Sequence, residues 1–281
     1  MVISSSCCEL LIQLSIFMLC FGVLLPILHL QLILLSIYNN TKIIINMEVV
    51  KMIILAIGCH PDDLEIGCFG TLIKYVQNGH KVFAVHLTNG DLGLVDGSLI
   101  GIRNEEAKRA SEAIGAEAIT LNFKDLVVDS NNPEMIRAMV SVIRNVNPDI
   151  IITHNPEDYM TDHMETSKLV FNASFSASVP RFDAPGKTCG VIPIYYMDTL
   201  ANINFIPTEY VDISEVIDQK LNAISQHQSQ LKWMFEHDNI DFLEFVRSCN
   251  RGRGCQCNVL YAEGFRPCLS YLRLRTKRLL P

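Results

Sequence analysis

The stretch from Met52 to Gly70, MIILAIGCHPDDLEIGCFG, sets the tightest limit on the fold. It opens with an unbroken apolar run, Met52-Ile53-Ile54-Leu55-Ala56-Ile57, which is short, rich in β-branched residues and closed by Gly58. A run without polar alternation reads as a strand covered on both faces, as in a parallel sheet. Past the turn, Ile66, Phe69, Leu72, Ile73 and Val76 recur at helical spacing, and Gly79 stands where that helix stops. Strand, turn and helix in this order place His60, Pro61, Asp62, Asp63 and Glu65 at the carboxyl edge of a strand, where open α/β sheets bind ligands.

Adjacent carboxylates repel, and a helix start is satisfied by one of them. Two accounts of the turn stand on its residues alone. In one, Asp62 or Asp63 caps the helix and His60 is incidental. In the other, a divalent cation neutralises the cluster. A dinucleotide site is excluded by spacing, since Gly58, Gly67 and Gly70 do not form G-x-G-x-x-G.

Strand and helix patterns then alternate. Lys81 to Leu87 is a second apolar run, followed by the turn Thr88-Asn89-Gly90-Asp91-x-Gly93. A helix runs from Gly101 to Ile114, a strand from Ala118 to Asn122, and a helix from Pro133, capped by Asn131 or Asn132, to Asn147. Pro148 to Thr153 is the next buried strand, and a helix from Asp162 to about Ala177 follows it. The pattern predicts an α/β fold: a Rossmann-like, doubly wound parallel sheet with helices on both faces. Further on, Asp212 to Gln226 reads as an amphipathic helix.

The 281 residues suffice for one large domain, assigned to 47–281, plus an N-terminal appendage, 1–46. From Leu10 to Tyr38 there is no charged residue, so the appendage is expected to be a hydrophobic helix able to reach a membrane through residues 10–38. Glu9 before it, with Lys42 and Lys51 after it, favours a cytoplasmic catalytic domain. The competing account is a start at Met47 or Met52, with the segment outside the working protein. A net charge of −7 argues against a nucleic-acid partner. Ten cysteines in so long a chain form no compact disulfide framework, and Cys255-x-Cys257 alone lacks the paired knuckles of a zinc ribbon.

His60-Pro61-Asp62-Asp63-x-Glu65 resembles the signature of the PIG-L/LmbE family of zinc-dependent N-deacetylases, and the resemblance extends over about residues 52 to 266. His154-Asn155-Pro156-Glu157-Asp158-Tyr159-Met160-Thr161-Asp162-His163 resembles the family's second motif, P-x-D-Y-x-x-D-H. Thr88 to Asp91, the segment His227 to Trp233 and Tyr261 to Arg266 match further family segments. The resemblance implies Zn2+ bound by His60, Asp63 and His163, with Asp62 as general base. It implies that Arg103, Asn89 and Asp125 contact a sugar. It also implies removal of an N-acetyl group from an N-acetylglucosamine-type conjugate, with a membrane glycolipid as the alternative substrate.

The chain departs from the family at Met160, where many members carry His. A thioether donates no hydrogen bond. His237 is therefore expected to supply catalytic help, or else the metal acts without it. Outside enzymes, the alternative is a metal-binding member that has lost catalysis, against which the free carboxylate of Asp62 counts. The sequence leaves the oligomeric state open, and a homo-oligomer is allowed.

Overall fold

A computed structural model of the protein describes residues 51–94 and 101–281. The hydrophobic segment, including residues 10–38, lies outside the described residues, and so does the expectation of a helical anchor. Among the described residues no helix is long and apolar enough to cross a membrane.

The first apolar run forms β1 (Ile53–Gly58), an interior strand, third from one edge, of a seven-stranded sheet. The other strands are β2 (Lys81–Thr88), β3 (Glu117–Phe123), β4 (Ile150–Thr153), β5 (Ile194–Met197), β6 (Glu209–Asp212) and β7 (Ala262–Pro267). They lie in the order β3-β2-β1-β4-β5-β7-β6. β1 pairs in parallel with both β2 and β4, β2 with β3, and β4 with β5. The carboxyl ends of these five strands therefore share one edge.

The helices are α1 (Asp63–Gly67), α2 (Phe69–Gln77), α3 (Ile102–Ala113), α4 (Pro133–Val146), α5 (Thr161–Ser176), α6 (Ile217–Ile224), α7 (Gln228–Asp238) and α8 (Phe242–Cys257). They cover both faces, and the strands show why the apolar runs are continuous. Ile54 and Ala56 of β1 enter one core with α1, α2 and α6, whereas Leu55 and Ile57 enter a second core with α4 and α5. Successive strand residues point to opposite faces, so a strand buried twice must be apolar at every position.

Three expectations are corrected. The sheet is mixed, because β7 runs antiparallel to β5 and β6. The end of β6 (Asp212) pairs with the start of β7 (Ala262), so the intervening helices α6–α8 return the chain to the edge it left. The expected single helix after the first turn is two, separated at Cys68, whose φ of −148° and ψ of 3° leave the helical region. The expected helix from Asp212 to Gln226 is shorter: Glu209 to Asp212 is edge strand, and the helix begins at Ile217.

The break between α1 and α2 is fixed from the far end of the chain. Glu263 of β7 accepts the amides of Gly70 and Thr71, both at 2.8 Å, and the Thr71 hydroxyl at 2.6 Å. It also pairs at 2.6 Å with the fully buried Lys220, which donates to the Ile66 carbonyl at 2.7 Å. A Cβ at residue 70 would lie 2.7 Å from Ile213 Cγ2 and 3.0 Å from Glu263 Oε1, so this approach requires glycine. Removing one partner of a buried pair costs about 3–5 kcal/mol. Glu263→Ala is expected to lower unfolding free energy by about that much in denaturant titration, and a loss under ~1 kcal/mol would remove the pair from this role.

Candidate metal centre

The turn after β1 is held by its neighbours on the edge. The Cys59 carbonyl accepts the Thr88 amide at 2.8 Å, and the Ile57 carbonyl accepts the Thr153 hydroxyl at 2.9 Å. The His60 amide donates to Asp63 Oδ2 at 2.6 Å, closing the turn on itself. Asp62, at the N-cap position of α1, has φ 118° and makes no side-chain cap bond. The cap account therefore fails: one carboxylate is turned back onto the loop, and the other is free of the helix amides.

Carboxylates of the second motif orient two imidazoles, His60 of the turn and His163 of the motif itself. His60 Nε2 lies 3.1 Å from Asp162 Oδ2, and His163 Nδ1 lies 3.1 Å from Asp158 Oδ1. A carboxylate on one ring nitrogen fixes the tautomer and leaves the other nitrogen as an electron-pair donor. Those others, His60 Nδ1 and His163 Nε2, stand 3.3 Å apart. Asp63 joins them, with Oδ1 at 3.2 Å from His163 Nε2 and Oδ2 at 3.5 Å from His60 Nδ1. Two trios that share Asp63 bring donor atoms close enough for one ion, Cys59–His60–Asp63 and Asp63–His154–His163, and zinc takes such N, O and S donors while keeping a fourth position open.

The local field favours positive charge there. Burial of the His163 ring opposes protonation, but Asp63 and the bond to Asp158 prevail and raise its pKa to about 9. Burial likewise opposes protonation of His60, yet its bonds to Asp162 and Asp63 hold it well above the usual imidazole value. A divalent cation and protons compete for these nitrogens.

Among these donors, Cys59 stands beside His60 and His154 beside Asp63. Burial pushes the Cys59 thiol up to about 11, away from the thiolate that a metal requires. His154 Nε2 already accepts the Cys59 amide at 2.9 Å, and its ring stacks on His163 with centroids 4.1 Å apart. His60 and His163 each keep a ring nitrogen facing Asp63. His154, Asp158 and Asp162 received no role from the sequence, although all three stand in the second motif.

These donors open into a cleft of about 350 Å3. Asp62 lines it and keeps 14% of its side-chain area exposed, enough for a small molecule to reach. Burial raises the Asp62 pKa against the opposing charge of Arg103, whose Nη2 lies 3.1 Å from Asp62 Oδ2. Arg103 is buried and also donates to the carbonyls of Pro61 and Gly90. Gly90 and Gly93 make room for it, since a Cβ on either would collide with the guanidinium.

Six of the expected site residues come together on this cleft: His60, Asp62, Asp63, Arg103, Asp125 and His163. Arg103, expected on sugar hydroxyls, is engaged by Asp62. Asp125 accepts the amides of Gly90 and Leu92, each at 3.0 Å, and so shapes the turn. Asn89 bonds Asp91 instead, at 2.8 Å, and is not among the lining residues. His237 is exposed at the end of α7, 2.7 Å from Asp238, with its ring stacked on Trp233. Trp233 lines the cleft and His237 does not.

A buried network secures this wall. Glu65 lies between His227, at 3.0 Å, and His86, at 3.5 Å. Burial disfavours the Glu65 carboxylate, but His227 and His86 hold its pKa near 2. His227 begins α7, so the bond ties the metal turn to the helix that carries Gln230 and Trp233.

The profile described as "PIG-L: GlcNAc-PI de-N-acetylase" matches residues 55–174. A diacetylchitobiose deacetylase of Thermococcus kodakarensis is 31% identical over 223 residues, which cover 76% of this chain and 82% of that protein. The N,N'-diacetylchitobiose deacetylase of Pyrococcus horikoshii superposes with a TM-score of 0.66 at 27% identity, over 80% of this chain and 86% of the other. The 4-carboxy-2-hydroxymuconate hydratase GalB of Pseudomonas putida KT2440 shares the fold at TM-score 0.68 and 21% identity, over 80% of this chain and all of its own. The fold alone therefore does not choose the reaction. Motif, profile and relative agree, and the chain belongs to the PIG-L (LmbE-like) family.

Proposed function

We propose that the chain is a zinc-dependent hydrolase that removes the N-acetyl group from an N-acetylglucosamine-type conjugate. The observation that carries this reading is the pairing of two functions on one turn. Asp63 stands with the carboxylate-oriented imidazoles, whereas Asp62, next to it, is free of them and faces the cleft with Arg103. A site built only to hold a metal has no use for the second carboxylate. The deacetylase relatives support the choice of reaction.

Zinc held by His60, Asp63 and His163 would polarise the amide carbonyl and bring the pKa of water to about 7. Asp62 takes one proton from the attacking water as its oxygen bonds the carbonyl carbon. The same carboxyl returns the proton to the sugar nitrogen as the carbon–nitrogen bond breaks, leaving a free amine and acetic acid, which ionises to acetate by giving up the water's second proton. Such general acid–base work is worth roughly 10²- to 10⁴-fold. Burial favours the proton on Asp62 and Arg103 favours its release, which sets the group to work in both directions. Met160 lines the cleft and donates no hydrogen bond; the imidazoles that do line it are those of His60, His154 and His163.

The deciding experiment measures acetate release, with bound metal counted, over a panel of N-acetylglucosamine conjugates. His163→Ala is expected to lose most of the zinc, while Asp158→Asn weakens zinc about 10- to 100-fold by freeing the imidazole it orients. Full occupancy in His163→Ala would remove that residue from the site. Asp62→Asn keeps shape and metal but loses the proton acceptor, so kcat is expected to fall at least roughly 100-fold with zinc content unchanged. Near-parental kcat in that variant would end the general-base assignment.

A further inference from the structure

The cleft is small for a ligand site, since sites for drug-sized ligands run from about 300 to 1,000 Å3. At about 350 Å3 it has room for the reacting sugar and little more, so the rest of a conjugate must lie beyond its mouth. A second groove continues from that mouth, sharing Asp158, Tyr159 and Leu200 with the cleft. It runs on over Pro156, Met164 and Ile203. Tyr159 is 67% exposed and Ile203 63%, so this groove presents large apolar groups to water where the cleft opens. Scattered exposed apolar residues carry no meaning, but a contiguous set beside a site marks a binding surface.

Charge narrows what can lie there. The groove is lined by Glu157 and Asp158, and among the described residues no lysine or arginine lines it. Arg103, the one such cation lining the cleft among the described residues, is bound to Asp62 and to two carbonyls. An anionic group entering the groove would lose its hydration and meet like charge in return.

We propose that the groove of Tyr159, Leu200 and Ile203 is a subsite for the aglycone, and that it takes an uncharged group with an apolar face, such as an alkyl or aryl chain, and rejects a carboxylate. The inference rests on the N-acetylglucosamine reading for the sugar itself, and binding can be read apart from turnover. The chain contains a single tryptophan, Trp233, which lines the cleft, so its fluorescence reports occupancy.

The zinc-loaded full chain is titrated with N-acetylglucosamine, with its octyl glycoside and with its carboxymethyl glycoside, and acetate is assayed in the same samples. The octyl glycoside is expected to bind at least tenfold more tightly than the free sugar, and the carboxymethyl glycoside no more tightly than it. Ile203→Asp is expected to lower the ratio of octyl to free-sugar affinity at least tenfold. Leu200→Asp, on the neighbouring turn, serves as a second variant should the first fail to fold. Tighter octyl binding without acetate release would support the groove and overturn the deacetylase reading. Acetate release with equal affinities, or with the carboxymethyl glycoside preferred, would overturn the groove and leave the reaction standing. Absence of both binding and release would overturn both.

Discussion

A concentration of like charge at the end of β1 is the constraint to which the surrounding structure answers. Asp62, Asp63 and Glu65 fall within four consecutive positions, and the segment after β4 brings Asp158 and Asp162 to the same place. Two unit charges 4 Å apart interact by about 4 kcal/mol at an effective dielectric of 20, and burial removes the water that would screen them. The carboxylates are matched by partners: Arg103 for Asp62, His227 for Glu65, His60 for Asp162 and His163 for Asp158, with Asp63 shared among His60, His154 and His163. What these partners leave over is a point ringed by donors that favours a cation.

Satisfying those charges also assembles the domain. His227 and Glu65 are 162 residues apart in sequence, and Glu263 reaches Gly70 across 193. Ser229 at the start of α7 donates its amide to Glu106 of α3 at 2.9 Å, and Gln230 donates to the Gly93 carbonyl at the same distance. The parallel strands supply a rigid edge, but the wall facing the metal turn is carried by α7, which is not part of the alternating crossovers. The buried polar contacts set its place. Packing alone would tolerate sliding, whereas a buried ion pair with one partner displaced costs several kcal/mol.

Legibility in the sequence followed burial. β1, β2 and β4 could be read because a strand covered on both faces must be apolar throughout, and the helices α3 and α4 because Gly101, Gly115, Asn132 and Pro133 are local signals at their ends. β6 and β7 could not be read this way. Glu209-Tyr210-Val211-Asp212 is an edge strand, and Ala262 to Pro267 carries Glu263 and Arg266, so neither shows the apolar signature. At the site, His60, Asp62 and Asp63 were legible at one edge because they stand just past β1, and His163 because its motif begins just past β4 and ends in the first turn of α5. His154 stands within the second motif with nothing local to set it apart: only the fold shows that its ring stacks on His163. His237 and Trp233 lie four apart on one helix, and only the structure shows which of them lines the cleft. Asn89 matched a motif whose need is met by its neighbours, because Gly90 and Gly93 are what give Arg103 its path.

The backbone at Asp62 has φ 118°, a region that side chains with a Cβ enter at a cost of order 1–3 kcal/mol. Glycine would occupy it freely. Relief at 62 would come at the expense of Arg103, which would stay buried with no carboxylate opposite it. A buried charge left alone costs more than the strain returned, so the ion pair is what pins the proposed base in a conformation its own backbone disfavours.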